Sequence, residues 1–180
     1  MNEQELLHTV TQKIKEQLFI PFFRSHLDEP TIDDTKLQFI IRIFTASEHT
    51  QEEIIHYSTA VMLMQIALDT HDLVTLSTDE DTASTLFTRQ LLILAGDYYT
   101  GLYYQMLADY ENMHLINEVA SAVKEINELK ISFHYEKTEK KQVIDLKRKV
   151  SILLLLRLCE AFQLEQLRNE IVNFYEKGTI

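Results

Sequence analysis

One cysteine, two prolines, three glycines and no tryptophan in 180 residues leave this chain little with which to cross-link or sharply turn itself. A lone cysteine, Cys159, excludes an intramolecular disulfide. So few glycines and prolines cannot serve the many tight reversals of an all-β fold. Positive charge is also scarce, with 17 Lys+Arg against 28 Asp+Glu and a formal net charge of −11. Such a chain lacks the clustered cations that a phosphate backbone requires, so nucleic acid is not an expected partner. Simple attraction to anionic lipid is disfavoured for the same reason. No apolar run approaches the roughly 20 residues of a spanning helix; residues 152–156 form only a short run bounded by charge. Met1-Asn2-Glu3-Gln4-Glu5 is polar and acidic, unlike a signal peptide, and a cytoplasmic location is expected.

What the chain does have is apolar residues, 46% of the total, at helical spacing. Leu6, Leu7, Val10, Ile14, Leu18 and Phe22 recur at steps of three or four, which predicts an amphipathic helix. Pro21 is expected to end or kink it, and residues 26–30 read as a connector. A second helix is predicted from Asp33 or Asp34, whose carboxylates can cap backbone N–H groups, through Leu37, Ile40, Ile41 and Phe44. Thr50 and Glu53 fit a capping box that opens a third helix, running to about Val74. Residues 77–82 read as an acidic loop. Helices are predicted over about 85–110 and 113–130, and residues 133–138 carry no clear pattern. The stretch 141–175 is one helix, or two with a break near Gln163. Cys159 shares a helical face with Leu155 and Phe162, which predicts a buried, inert thiol. Sustained heptads are missing, so a simple coiled coil is not expected. The fold class is all-α, a helical bundle forming a single domain over residues 1–180.

Residues 90–104 stand out within this pattern. A Leu94-Ala95-Gly96-Asp97 step interrupts an apolar helix and is followed by Tyr98, Tyr99, Tyr103 and Tyr104. Gly96 and Thr100 are four apart, and small residues on one helical face let another helix approach closely. The tyrosines offer the large amphipathic area typical of interface anchors, although the same spacing also suits a core helix with tyrosines at its rim. Asp97, inside an apolar helix, is expected to be hydrogen-bonded or paired and to serve structure rather than metal binding. Upstream, Thr70-His71-Asp72-Leu73-Val74 looks like a damaged aspartate-rich metal site. Asp69 and Asp72 are expected to form a solvated or hydrogen-bonded pair.

The order of these motifs resembles that of the trans-polyprenyl diphosphate synthases. Catalytic members carry a His-Asp-Asp-x-x-Asp pattern at a helix end and, after a loop with paired arginines, a Leu-Ala-Gly-Asp-Tyr/Phe-Leu helix. Here His71-Asp72 and Leu94-Ala95-Gly96-Asp97-Tyr98 stand in that order. The departures say more. In that family three aspartates hold the magnesium that bridges to an allylic diphosphate, and carboxylate oxygen suits that hard cation. Here Leu73 follows Asp72 and Leu76 stands four after it, no Arg-Arg pair follows, and Asp-Asp-x-x-Asp occurs nowhere in the 180 residues. His71 and Asp72 are then vestigial.

A scaffold that keeps the helices and lacks the metal ligands resembles the small, non-catalytic component of the two-component hexaprenyl/heptaprenyl diphosphate synthases of Gram-positive bacteria. That resemblance implies a truncated isoprenoid-synthase fold, silent alone and active with a catalytic large subunit. It implies that the partner holds Mg2+ and binds the allylic diphosphate and isopentenyl diphosphate, with no cofactor on this chain. The product would be the long prenyl diphosphate of the menaquinone side chain, a lipid that could draw the complex to the membrane periphery. Catalytic relatives dimerise through the Gly-Asp helix, so the resemblance implies a partner interface at Leu94, Gly96, Asp97, Tyr98, Tyr99, Gly101, Leu102, Tyr103 and Tyr104. It also implies a chain-length wall at Val61, Met64 and Leu68, one or two turns before the aspartate motif, where relatives floor the prenyl tunnel. Plain core packing explains that stripe equally well.

Two other readings compete. Glu53/His56 and Glu111/His114 match the Glu-x-x-His pattern of ferritin-like di-metal proteins. Glu53 is already used by the capping box, however, and Glu111 and His114 straddle a predicted helix break. A helical adaptor unrelated to isoprenoids explains the missing chemistry but leaves the Gly-Asp helix without a reason.

Overall fold

A computed structural model describes residues 1–74, 82–135 and 140–177. Among the described residues it is all-α, with eight helices and no strand: α1 (Glu3–Leu18), α2 (Pro21–Arg24), α3 (Asp34–Ala46), α4 (Gln51–Asp72), α5 (Ala83–Asp109), α6 (Met113–Tyr135), α7 (Lys140–Ala161) and α8 (Glu165–Lys177). The expected acidic loop at 77–82 falls almost wholly outside the described residues, as do residues 136–138 of the patternless stretch 133–138, whose first half ends α6.

Local chemistry sets the helix ends. Asn2 and Glu5 close a capping box on α1, Thr50 and Glu53 close one on α4, and Thr82 with Thr85 does the same for α5. Asp33 accepts from Lys36 N at 3.0 Å and caps α3. Pro21 does not end the first helix, which stops at Leu18; it opens α2, where its missing N–H has no partner to lose. The predicted break near Gln163 is present, with Gln163 at φ 57° between α7 and α8. Glu111, at φ 51°, separates α5 from α6, and Asn112 caps the latter through Leu115 N at 3.0 Å.

The described residues fall into two compact units, one within residues 1–41 and 49–111, the other within residues 42–48 and 112–180. In the first, α1 and α5 pack against α4. Residues from Tyr57 to Leu68 of α4 are buried without interruption, so this helix is enclosed on all sides and forms the centre of the unit. Lys36 is buried beside it, with Nζ 3.9 Å from an Asp69 carboxylate oxygen. In the second unit α7 packs against α6 and α8. Its apolar run, residues 152–156 with Leu158 and Cys159, is buried. Arg157 donates to Glu125 at 2.8 Å and to Glu160 at 2.9 Å. Arg42 meets Glu170 with two parallel bonds of 2.7 and 2.6 Å.

Candidate functional site

The helix carrying the Gly-Asp step is the longest of the eight, 27 residues. Its inner face, Leu91, Ala95, Gly96, Tyr99, Tyr103 and Leu107, is buried. Its outer face is not: Leu86, Ile93, Leu94, Tyr98 and Tyr104 are all exposed large apolar residues. Gly101 lies among them, and a Cβ built there would meet nothing within 4 Å. From Leu86 to Tyr104 this face runs about 27 Å at 1.5 Å per residue, and its one exposed charge is Asp97.

The structure therefore divides the residues that the sequence grouped as an interface. Leu94, Asp97, Tyr98, Gly101 and Tyr104 face outward, and Leu102 is half-buried. Gly96, Tyr99 and Tyr103 face inward and pack within their own chain. The close helix approach expected at Gly96 is made by α4 itself. A Cβ on Gly96 would fall 2.5 Å from Nε2, 2.6 Å from Cε1 and 2.8 Å from Cδ2 of His71, so the imidazole lies flat against the glycine. Asp97 has the partner expected of it on a neighbouring helix, its Oδ1 standing 3.6 Å from His71 Nε2 of α4, while its side chain is 69% exposed. His71 and Gly96–Asp97 form a latch between the end of α4 and the middle of α5. Burial raises the Tyr103 hydroxyl well above its ordinary range, with Tyr104 adding to the shift. Among the described residues that hydroxyl has no hydrogen-bond partner.

Sequence reasoning missed Leu86 and Ile93. Leu86 stands seven before Ile93 and eight before Leu94, and Ile93 stands eleven before Tyr104, so the outward stripe was visible as a period once the inward one is subtracted.

At the end of α4, Asp69 accepts from Gln65 Nε2 at 2.8 Å and faces Lys36, Asp97 faces an imidazole, and Asp72 is exposed. Among the described residues no three His, Cys, Asp or Glu side chains gather as a metal cluster. The di-metal residues are engaged elsewhere. Glu53 accepts from Thr50 N and Oγ1, both at 2.8 Å. His56 Nε2 donates to the Met106 carbonyl oxygen at 2.6 Å, and its ring stacks on Tyr110 at 3.9 Å. Glu111 lies outside α6, and His114 stands 3.9 Å from Glu118. The wall residues Val61, Met64 and Leu68 are core, 0%, 2% and 7% exposed. Cys159 is buried, and its thiol is pushed up to about 12, chiefly by burial. Among the described residues no helix is long and apolar enough to cross a membrane.

An exposed apolar face on the longest helix of an all-α chain is a surface suited to contact with another molecule. The chain belongs to the family described as heptaprenyl diphosphate synthase (HEPPP synthase) subunit 1, which it matches over residues 20–177. It is also similar to heptaprenyl diphosphate synthase component 1 of Geobacillus stearothermophilus, with 51% identity over 81 residues, 45% of this chain and 34% of that protein. The similarity thus spans about a third of that relative's length, 34%. No solved structure matches the chain.

Proposed function

We propose that this chain is the non-catalytic subunit of a two-component trans-polyprenyl diphosphate synthase and acts by seating the outward face of α5 on a catalytic large subunit. The observation that carries this is the exposed stripe of Leu86, Ile93, Leu94, Tyr98 and Tyr104 on a helix whose other face is locked to a fully packed α4. Contiguous exposed apolar surface marks an interaction site, and half-exposed tyrosines are good anchors for one. Family membership supplies the kind of partner. In this reading the catalytic subunit holds Mg2+ and binds the allylic and isopentenyl diphosphates, and condensation proceeds there. This chain stabilises the partner's active conformation and helps limit the prenyl product, which serves the menaquinone side chain. The complex is cytoplasmic and touches the membrane only through its lipid product. Because Val61, Met64 and Leu68 are buried, any effect of that stripe on product length passes through the position of α4 beneath α5.

The test is a prenyl-transfer assay with this chain alone, the catalytic chain alone, and both together. Activity is expected in the mixture and abolished there by Ile93→Asp, which places a charge at an exposed position and leaves the fold intact. Full activity of the catalytic chain without this one, or turnover by this chain alone, overturns the proposal.

A further inference from the structure

A cleft of about 480 Å³, lined by apolar and charged side chains, opens in the first unit beside α2. Its volume falls within the roughly 300–1,000 Å³ typical of small-ligand sites. The end of α1, the short α2 and the connector that follows form its walls, and Tyr99 of α5 closes one side. The apolar lining includes Leu18, Ile20, Phe23, Leu27 and Ile32.

Charge decides which end of an amphiphile this cleft suits. Arg24 is already engaged, 3.0 Å from Glu29 and 5.7 Å over the Phe19 ring. Lys15, Asp28 and Asp34 also line the cleft, so its charges beyond that pair sum to one negative, on a chain of net −11. A diphosphate gains nothing there, whereas a hydrocarbon gains an apolar lining. Position favours a chain that arrives from the α5 face. Buried Phe23 lines the cleft and meets both Tyr99, at 6.3 Å, and Tyr98 of the outward stripe, at 6.0 Å.

We infer that this cleft receives the hydrocarbon tail of an isoprenoid whose charged end is held outside it. The choice of an isoprenoid over other hydrocarbons rests on the subunit role proposed above; the tail-inward orientation rests on the cleft itself.

The experiment is calorimetric titration of the full chain with geranylgeraniol, oleyl alcohol and geranylgeranyl diphosphate. Geranylgeraniol is expected to bind saturably at one site, more tightly than either of the others. Phe19→Asp and Ile32→Asp should each weaken it by about tenfold or more, since a charge would then border buried hydrocarbon. Phe19 is 59% exposed, so its substitution keeps the test interpretable even if Ile32→Asp perturbs folding. Lys124→Ala, at an exposed position on α6, should leave binding unchanged. Absence of saturable binding, or binding by both cleft variants as tight as by the unaltered chain, overturns the site. Oleyl alcohol binding as well as geranylgeraniol overturns the isoprenoid assignment, and a preference for the diphosphate overturns the orientation. None of these measurements needs a catalytic chain, so failure here is separate from failure of the prenyl-transfer assay.

Discussion

Replacing Gly96 with alanine sets two opposed effects against each other, and the structure predicts how a second substitution changes the balance. Alanine gains about 0.8–1.0 kcal/mol over glycine inside a helix. The new methyl, however, falls 2.5 to 2.8 Å from three atoms of the His71 ring, where carbon contacts prefer about 3.5–4.0 Å. The ring must move. His71 is 37% exposed, so the ring can swing toward water, giving up its packing on α5 and its approach to Asp97. Crowding a packed site costs about 1–3 kcal/mol, and partial exposure puts this case near the lower figure. Gly96→Ala alone should therefore be close to neutral. In a His71→Ala background nothing opposes the methyl, and the same substitution should stabilise by about 1 kcal/mol, a rise of roughly 2–4 °C in Tm for a chain of this size. Thermal and urea unfolding of the four proteins, followed by far-UV circular dichroism, gives the coupling directly. Equal stabilisation by Gly96→Ala in both backgrounds, additive within about 0.3 kcal/mol, would mean that the imidazole does not rest on Gly96 and that no latch joins α4 to α5.

Two further outcomes follow from the packing and the caps. Leu68→Ala should destabilise the chain by about 2–4 kcal/mol through loss of buried methyl groups; if the reconstituted complex still forms, its products should shift toward longer chains. An unchanged product profile on reverse-phase chromatography would remove α4 from chain-length control. Glu53 is held below the ordinary carboxylate range, first by its bond from the Thr50 backbone and then by that from the Thr50 hydroxyl, with a smaller contribution from His49. Its contribution to stability is therefore complete above about pH 4.3, the unfolded value, and is lost as pH falls through the lower folded value. Glu53→Gln should flatten the acid limb of stability against pH in urea titrations, and an unaltered acid limb would exclude the cap as its source.

Much of the fold could be read from local chemistry. Thr50 and Glu53 announce the start of α4, Asp33 that of α3, and the apolar period of α1 names Leu6, Val10 and Ile14, all three of them buried. Pro21 misleads because proline has two opposite uses, stopping a helix and starting one, and only the preceding backbone decides between them. The faces of α5 were less legible. Apolar residues surround that helix almost entirely, so periodicity alone cannot say which tyrosines turn inward. Tyr98 and Tyr99 are adjacent and chemically identical, yet one is exposed and the other buried, a distinction fixed by where α4 lies. The cleft beside α2 was invisible for a related reason: it is assembled from α1, a connector and α5, and no local pattern reports that meeting.

The energetics of the α5 stripe also bear on how large the docking surface must be. Leu86, Ile93, Leu94, Tyr98 and Tyr104 are each roughly half exposed, and covering the rest of each gains about 1 kcal/mol at 25 cal/mol per Å² of apolar area. Five such terms give about 5 kcal/mol, at the low end of the roughly 4–15 kcal/mol that association costs in lost freedom. The stripe alone would bind a partner weakly. A stable pairing needs more apolar surface next to it, and the structure offers that surface at one end of α5. Phe87 follows Leu86 and meets the His26 ring at 5.6 Å, and His26 meets Phe22 at 4.8 Å. Phe22 and Phe87 are themselves 52% and 44% exposed, so the apolar surface continues from α5 onto α2. A footprint that includes both helices is the one whose buried area can offset the cost of holding two chains together.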